Sequence, residues 1–273
     1  MACGDMTRMR PLADWPLPAR SGIRGVLADI DDTLTTDGRV PAAVFAAMER
    51  LRANGLLVIP VTGRPAGWCD MIARTWPVDG VVGENGALAF RHDPAARHMV
   101  RIYADSPQSR AENRARLERV RDDILAAIPG VRVAADQPFR ETDLAIDFNE
   151  DVFGLAPETP EAVVGRFEAH GATAKISSIH VNGWFGTYDK LTMTRRLLCQ
   201  EFGADLDAER EHFAFIGDSP NDSPMFGYFP NAVGVANLAP FSADCAHLPA
   251  WLTAGERSEG FVELAGRLLD AIR

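Results

Sequence analysis

Acidic side chains collect where short apolar runs of this sequence end. Asp29 and Asp31 close the run 23–28 within Asp29-Ile30-Asp31-Asp32-Thr33. Asp218 and Asp222 follow the run 212–216, within Gly217-Asp218-Ser219-Pro220-Asn221-Asp222. Thr62 and Gly63 follow the run 56–61, and Lys190 opens a helical pattern. Any single Asp of this kind is most simply a turn or helix-cap residue. Their joint occurrence after separate apolar runs is harder to explain that way. Carboxylates converging on one point repel and shift one another's pKa values, and a divalent cation relieves the repulsion. Oxygen ligands of this kind suit Mg²⁺, and no His/Cys cluster competes for zinc.

The elements that must position these residues are readable from periodicity. The runs 23–28, 56–61, 212–216 and 232–236 have the length and apolarity of buried parallel strands. Helical patterns at 41–53, 65–75 and 189–203 separate them; the first has Pro41 at its start, Gly55 after its end, and Val44, Phe45, Met48 and Leu51 on one face. This β-α-β-α order predicts a doubly wound, Rossmann-like α/β sheet, whose ligands gather at the carboxyl ends of the strands.

The middle of the chain reads differently. A long charged helix over 106–128, alternating segments 131–135 and 142–148, a helix over 159–170 and alternating segments 172–177 and 179–185 give the order αββαββ. This predicts an inserted α+β domain with an antiparallel sheet. The expected division is a loose tail over 1–21, a core over 22–90 and 186–273, and an insert over 91–185. Alternation puts Leu144, Ile146, Phe148, Val131, Val133, Ile179 and Val181 on the face that meets the helices. Arg132, Asp143, Asp147, Lys175, Ser177, His180, Asn182 and Trp184 fall on the other, which is either an ordinary solvated face or a lid over the core's site.

Composition narrows the partners. The 273 residues are natural for two domains, and 47% of them are apolar, enough for buried cores. A formal charge of −10 argues against nucleic-acid backbones and anionic membranes as main partners. No apolar run reaches the ~20 residues of a membrane span. The first twenty residues, with Arg8, Arg10 and Asp14, lack the apolar stretch of a signal peptide. Cys3, Cys69, Cys199 and Cys245 form no CxxC pair, so free thiols in a reducing cytoplasm are expected.

Taken together, these motifs resemble those of the haloacid dehalogenase superfamily. Asp29-Ile-Asp31-Asp32-Thr33-Leu34 resembles its DxDx[TV] motif, Thr62 its second motif, Lys190 its third, and Gly217-Asp218 through Asp222 its GDxxxD motif. The insert lies between the second and third motifs, and its order resembles the subclass IIB cap; Val82-Gly-Glu-Asn-Gly86 is also typical of that subclass. The resemblance implies a Mg²⁺-dependent phosphatase that forms an aspartyl phosphate. It implies Asp29 as nucleophile and Asp31 as general acid and base. Thr62, Gly63 and Lys190 would bind the transferring phosphoryl group, with Asn221 touching phosphate or metal water. Asp29, the carbonyl of Asp31, and Asp218 would hold the metal, with Asp222 supporting them. The physical logic agrees: a carboxylate nucleophile divides one hard displacement into two easier ones, and cations and N–H groups stabilise the charge that spreads over the phosphoryl oxygens. Many subclass members carry Gly where this chain has Asp32, a residue read here as a solvated turn position.

Substrate selection is expected from Arg64, Asn85, His180, Asn182 and Trp184, each with a plainer alternative: a helix cap for Arg64, a turn for Asn85, packing for Trp184 and His180. An aromatic with hydrogen-bonding neighbours suits a sugar or polyol. The expected substrate is therefore a small phosphorylated metabolite of that class. Two alternatives stay open: phosphoryl transfer to another hydroxyl, as in phosphomutases, and a non-catalytic Mg²⁺ or phosphate-binding module.

Overall fold

In the computed structural model, which describes residues 9–177 and 179–272, alternate residues of the central strands serve opposite layers. The strands Gly25–Ala28, Leu57–Pro60, Phe213–Gly217 and Asn231–Gly234 lie parallel in a six-stranded sheet. Val26, Ala28, Val58, Ala214, Ile216 and Val233 enter one core, with Val44, Met48 and Leu51 of the helix Ala42–Ala53 and Phe261, Leu264 and Leu268 of Arg257–Leu269. Leu27, Ile59, Phe215 and Ala232 enter the other, with Met193, Leu197 and Leu198 of the helix Lys190–Phe202. Burial on both faces is why these strands read as continuous apolar runs.

The strand Gly25–Ala28 sits between Leu57–Pro60 and Phe213–Gly217. The chain winds outward from it in both directions, which makes the carboxyl end of Gly25–Ala28 a topological switch point, where a crevice opens.

Residues 9–21 are not a loose tail. Arg10–Pro11 pairs in parallel with Trp251–Leu252 at the sheet's edge. Leu12 and Trp15 are buried, and Trp15 stacks on Trp251 at 5.9 Å. A two-residue strand and a short 3₁₀ turn leave no periodicity to read, so only packing reveals them. Met1 to Arg8 of the expected tail lie outside the described residues.

The expected insert also begins too early at 91. Leu88–Asp93 and His98–Tyr103 form an antiparallel hairpin on Val81–Gly83, which joins the main sheet through the bridge between Val61 and Val82. Phe90, Met99 and Ile102 are buried in the two main cores. We therefore place the start of the inserted unit at Asp105, just before the helix Pro107–Ala127.

Beyond that point the order is αββαββ. The strands Arg132–Val133, Leu144–Asp147, His180–Trp184 and Thr173–Ile176 form an antiparallel sheet in that spatial order. Leu144, Ile146 and Val181 pack on Leu117, Val120 and Ile124 of Pro107–Ala127 and on Val163 and Phe167 of Thr159–Ala169. The ring of Phe167 fills the space above Gly183: a Cβ there would stand 2.1 Å from it. Among the described residues no helix is long and apolar enough to cross a membrane.

Candidate active site

The sheet delivers Asp29 and Asp218 to the same crevice because their strands are neighbours in register, Ile216 opposite Ala28. The chain turns sharply after Asp29. Thr33, Leu34 and Thr35 all donate their N–H to the carbonyl of Ile30, at 3.3, 2.8 and 3.0 Å. Ile30 and Leu34 anchor this turn in the core. Asp32 takes a φ of +54° in it and forms an ion pair with Arg257 at 3.4 Å. A left-handed position of this kind suits Gly best, and Asp tolerates it. Asp32 thus belongs to the turn rather than to the cleft.

Asp29, Asp218 and Asp222 bring one carboxylate oxygen each within 4.8 Å of one another. Lys190 stands beside them, donating to Asp29 Oδ1 at 2.7 Å and to Asp222 Oδ1 at 2.8 Å. Its helix begins at Asp189, whose carboxylate caps it by accepting the N–H of Thr192 at 2.7 Å. The loop Glu84–Gly86 presses against this helix start. Gly86 has a φ of +101°, and a Cβ there would lie 2.0 Å from the carbonyl oxygen of Asp189. Only Gly allows that approach, so it helps to set the position of Lys190.

Burial governs the electrostatics. It pushes the Asp29 carboxyl up to about 7, with Lys190 opposing and Asp222 and Asp31 adding to the rise. Burial, then the charges of Asp29 and Asp222, raise Asp218 well above the usual carboxylate range. Lys190 moves upward because Asp222 and Asp29 outweigh its own desolvation, so it stays protonated. One ammonium among three buried carboxyls leaves an excess of negative charge, and the all-oxygen donor set fits a hard divalent cation. Thr33 steadies the set by donating to Asp218 Oδ1 at 3.2 Å.

Asp31 leaves this cluster with its carboxylate. Arg64 grips it with Nε at 3.1 and 3.0 Å and Nη2 at 2.8 Å. Arg64 is buried and does not cap its helix; it stacks over Trp68 and reaches Glu150 of the inserted unit at 3.3 Å. Glu150 also lies 2.9 Å from His180 Nε2. His180, with Arg64, pulls the Glu150 carboxyl down to about 2. Two further ties cross the same seam. Arg140 donates to the Gly63 carbonyl at 3.0 Å while forked onto Asp136 and Asp143. The buried Glu84 carboxylate accepts from Ala66 N–H at 2.8 Å on one side and from Glu141 N–H at 2.9 Å and Thr142 N–H at 2.7 Å on the other.

These ties close the inserted unit over the cluster. The cleft between them, partly open to solvent, has a volume of about 50 Å³, space for a few waters. Asp29, Asp31, Gly63, Arg64, Asn85, Lys190, Asp218 and Asn221 line it from below, His180 and Asn182 from above. Thr62 is fully buried beside it; its Oγ1 accepts the Arg64 N–H at 3.0 Å, leaving its own proton to donate.

Trp184 is not at the cleft. It is buried against Ala87 and stacked on Tyr188 at 5.9 Å, where the last strand of the insert meets the core. It shares strand parity with His180 and Asn182, but the strand's end has already passed the cleft's rim. Ile179 departs in the other direction, lining the cleft instead of the helix-facing core. Lys175, which alternation placed on the possible lid face, also belongs to the site, as do Arg140 and Glu150, which the sequence does not mark for it. Arg140 and Glu150 lie outside regular strands and helices, where alternation carries no information.

Comparison with known proteins agrees with this geometry. A family profile described as haloacid dehalogenase-like hydrolase matches residues 26–108, the segment carrying Asp29, Asp31, Thr62 and the Glu84–Gly86 loop. Over that segment the chain is similar to the haloacid dehalogenase-like hydrolases. The αββαββ order of the insert is the one expected of a IIB cap. Solved structures share the fold over nearly their full length. The C-terminal domain of a C. albicans trehalose-6-phosphate phosphatase is similar at TM-score 0.70 and 14% identity, covering 96% of this chain and 99% of that one. A HAD/COF-like hydrolase from Plasmodium vivax gives TM-score 0.66 and 15% identity, covering 93% and 99%. The sucrose-phosphatase of Synechocystis, solved with sucrose and phosphate, gives 0.62 and 14%, covering 89% and 97%. No curated protein sequence matches the chain.

Proposed function

We propose that this hydrolase is a Mg²⁺-dependent phosphatase that cleaves a small phosphorylated metabolite, a sugar or polyol phosphate, through an aspartyl phosphate on Asp29. One observation carries the reading: Asp29, Lys190 and Asp218 share one cleft with Asp31, at the switch point of the sheet and beneath a polar cap face.

The cluster of Asp29, Asp218 and Asp222 would hold the metal, with the main-chain carbonyl of Asp31. When bound, Mg²⁺ supplies positive charge that offsets the phosphoryl oxygens and keeps the carboxylates ionised. Asp29 attacks phosphorus, the bond to the leaving oxygen breaks, and Asp31 gives that oxygen its proton. Asp31 then takes a proton from the water that hydrolyses the aspartyl phosphate. Help of this kind is typically worth ~10²–10⁴-fold. Arg64, gripping Asp31, keeps that carboxylate aimed at the cleft. Lys190, Thr62 and Gly63 hold the phosphoryl group, and Asn221 faces it across the cleft. Lifting of the cap would admit substrate and release product. His180 and Asn182, with Asn85 below, then meet the leaving group.

The test is Asp29→Asn assayed on p-nitrophenyl phosphate with Mg²⁺. We expect turnover to vanish while the far-UV spectrum and melting temperature stay near those of the wild type. Residual activity above ~1% would overturn the covalent mechanism, since an amide is no substitute for a carboxylate nucleophile.

A further inference from the structure

The cations at the cleft are Arg64, Arg140, Lys175 and Lys190. Three are already neutralised. Arg64 is held by Asp31 and Glu150, Arg140 by Asp136 and Asp143, Lys190 by Asp29 and Asp222. Lys175 is the exception: among the described residues no carboxylate lies within ion-pairing distance of it. It stands on the cap's edge strand Thr173–Ile176, directly across from Asn182, so both side chains leave the same face of the sheet. The edge position gives its long stem freedom to follow a ligand.

The distribution of charge across the cleft makes this lysine more than a solvated surface residue. All carboxylates of the wall, Asp29, Asp31 and Asp218, come from the core. The cap contributes Arg140, Lys175, Ser177, Ile179, His180 and Asn182 to the wall, two cations, while its nearby acids Glu150 and Asp143 are tied to Arg64 with His180 and to Arg140. A cap built for a neutral polyol would present acceptors to the hydroxyl protons. Here the Asn182 NH₂ is committed to Asp143 at 3.0 Å, which leaves only its Oδ1 as an open acceptor, and Ser177 Oγ donates to the His180 carbonyl at 3.0 Å. Beside that one amide oxygen, the cap offers an incoming molecule a free ammonium.

We infer that Lys175 is the recognition site for a second anionic group on the substrate. The substrate is then a phosphomonoester whose far end carries a carboxylate: a phosphorylated sugar acid or hydroxy acid. Its phosphate goes to the Asp29 end of the cleft and its carboxylate to the cap. This deepens the phosphatase reading and rests on it. A charge-assisted hydrogen bond formed only by the acidic substrate favours it by ~10–100-fold over a neutral analogue. It also couples recognition to closure, because Lys175 meets the carboxylate only with the cap down.

The experiment compares matched pairs, 6-phosphogluconate with glucitol 6-phosphate and 3-phosphoglycerate with glycerol 3-phosphate. For the wild type, kcat/KM should favour the acid of at least one pair by tenfold or more. In Lys175→Met that preference should fall to within twofold of unity, and Lys175→Arg should restore most of it. Calorimetric affinities of the same pairs for Asp29→Asn, with and without Lys175→Met, read the same preference without turnover. A wild type that prefers neither acid in kcat/KM or affinity overturns the inference, as does a preference that survives Lys175→Met. Absence of Asp29-dependent hydrolysis of p-nitrophenyl phosphate would instead sink the phosphatase reading, and the calorimetric comparison would still decide the role of Lys175.

Discussion

Replacing Lys190 with Met tests whether one ammonium and one metal share the work of neutralising the carboxyl cluster. Lys190 Nζ lies 2.7 Å from Asp29 and 2.8 Å from Asp222, and all three groups are buried. Removing one partner of a buried pair typically costs about 3–5 kcal/mol, because the remaining charge keeps its desolvation penalty. For a chain of this size about 2–4 °C is lost per kcal/mol, so metal-free Lys190→Met should melt roughly 6–20 °C below the wild type. Mg²⁺ should then return more to the variant than to the wild type. In the wild type the ion must enter beside an ammonium, and two unit charges ~4 Å apart repel by about 4 kcal/mol at an effective dielectric of 20. Only part of that need survive for the variant to bind Mg²⁺ at least tenfold more tightly, about 1.4 kcal/mol. Saturating Mg²⁺, worth about 2.7 kcal/mol at one hundred times Kd, should therefore narrow the gap in melting temperature while phosphatase activity stays lost. The assay is thermal melting of both proteins over a Mg²⁺ titration, with p-nitrophenyl phosphate turnover alongside. Equal metal-induced shifts in the two proteins would refute the reasoning, and so would a metal-free variant as stable as the wild type.

Three further outcomes follow from the same geometry. Because burial holds metal-free Asp29 at about 7, a cation must displace a proton below that pH; apparent Mg²⁺ affinity should weaken about tenfold for each pH unit below 7 and level off above it, and equal affinities at pH 6 and pH 8 by calorimetry would contradict this. The metal-free group has a raised folded pKa, so its contribution to stability is greatest below the ordinary value of 3.8 and is lost as pH rises through about 7. Gly183→Ala sets a methyl against the Phe167 ring, and overpacking of this kind costs about 1–3 kcal/mol; urea unfolding should show the loss, and adding Phe167→Leu should return part of it. Trp15→Ala removes a buried ring stacked on Trp251 and should cost about 3–5 kcal/mol; an unchanged urea midpoint would mean that residues 9–21 do not hold the sheet's edge.

Much of this protein is legible in its amino-acid letters, and the reason is local. The strand ending at Asp29 is buried on both faces, so its letters are apolar without interruption, and an acid marks its end. The helix that carries Lys190 announces itself by Asp189 in front and apolar periodicity behind. The αββαββ order of the cap is written in alternation, because each of its strands has one face on the helices. What escapes the letters is non-local. The segment 9–21 reads as loose because its order comes from Trp251, more than two hundred residues away. The hairpin 88–103 reads as part of the cap because nothing in its own letters says which sheet it extends. Trp184 shares a face with His180 and Asn182, yet whether a residue on that face meets ligand or Tyr188 depends on where the rim falls. Asp31, Arg64, Glu150 and His180 form a chain of contacts across the seam, and no spacing in the sequence encodes it. The amino-acid sequence thus determined the elements and the chemistry placed at their ends, through patterns a few residues long. Only tertiary structure decided which charges are already paired and which, like Lys175, remain free for a ligand, because pairing depends on contacts between segments far apart in the chain.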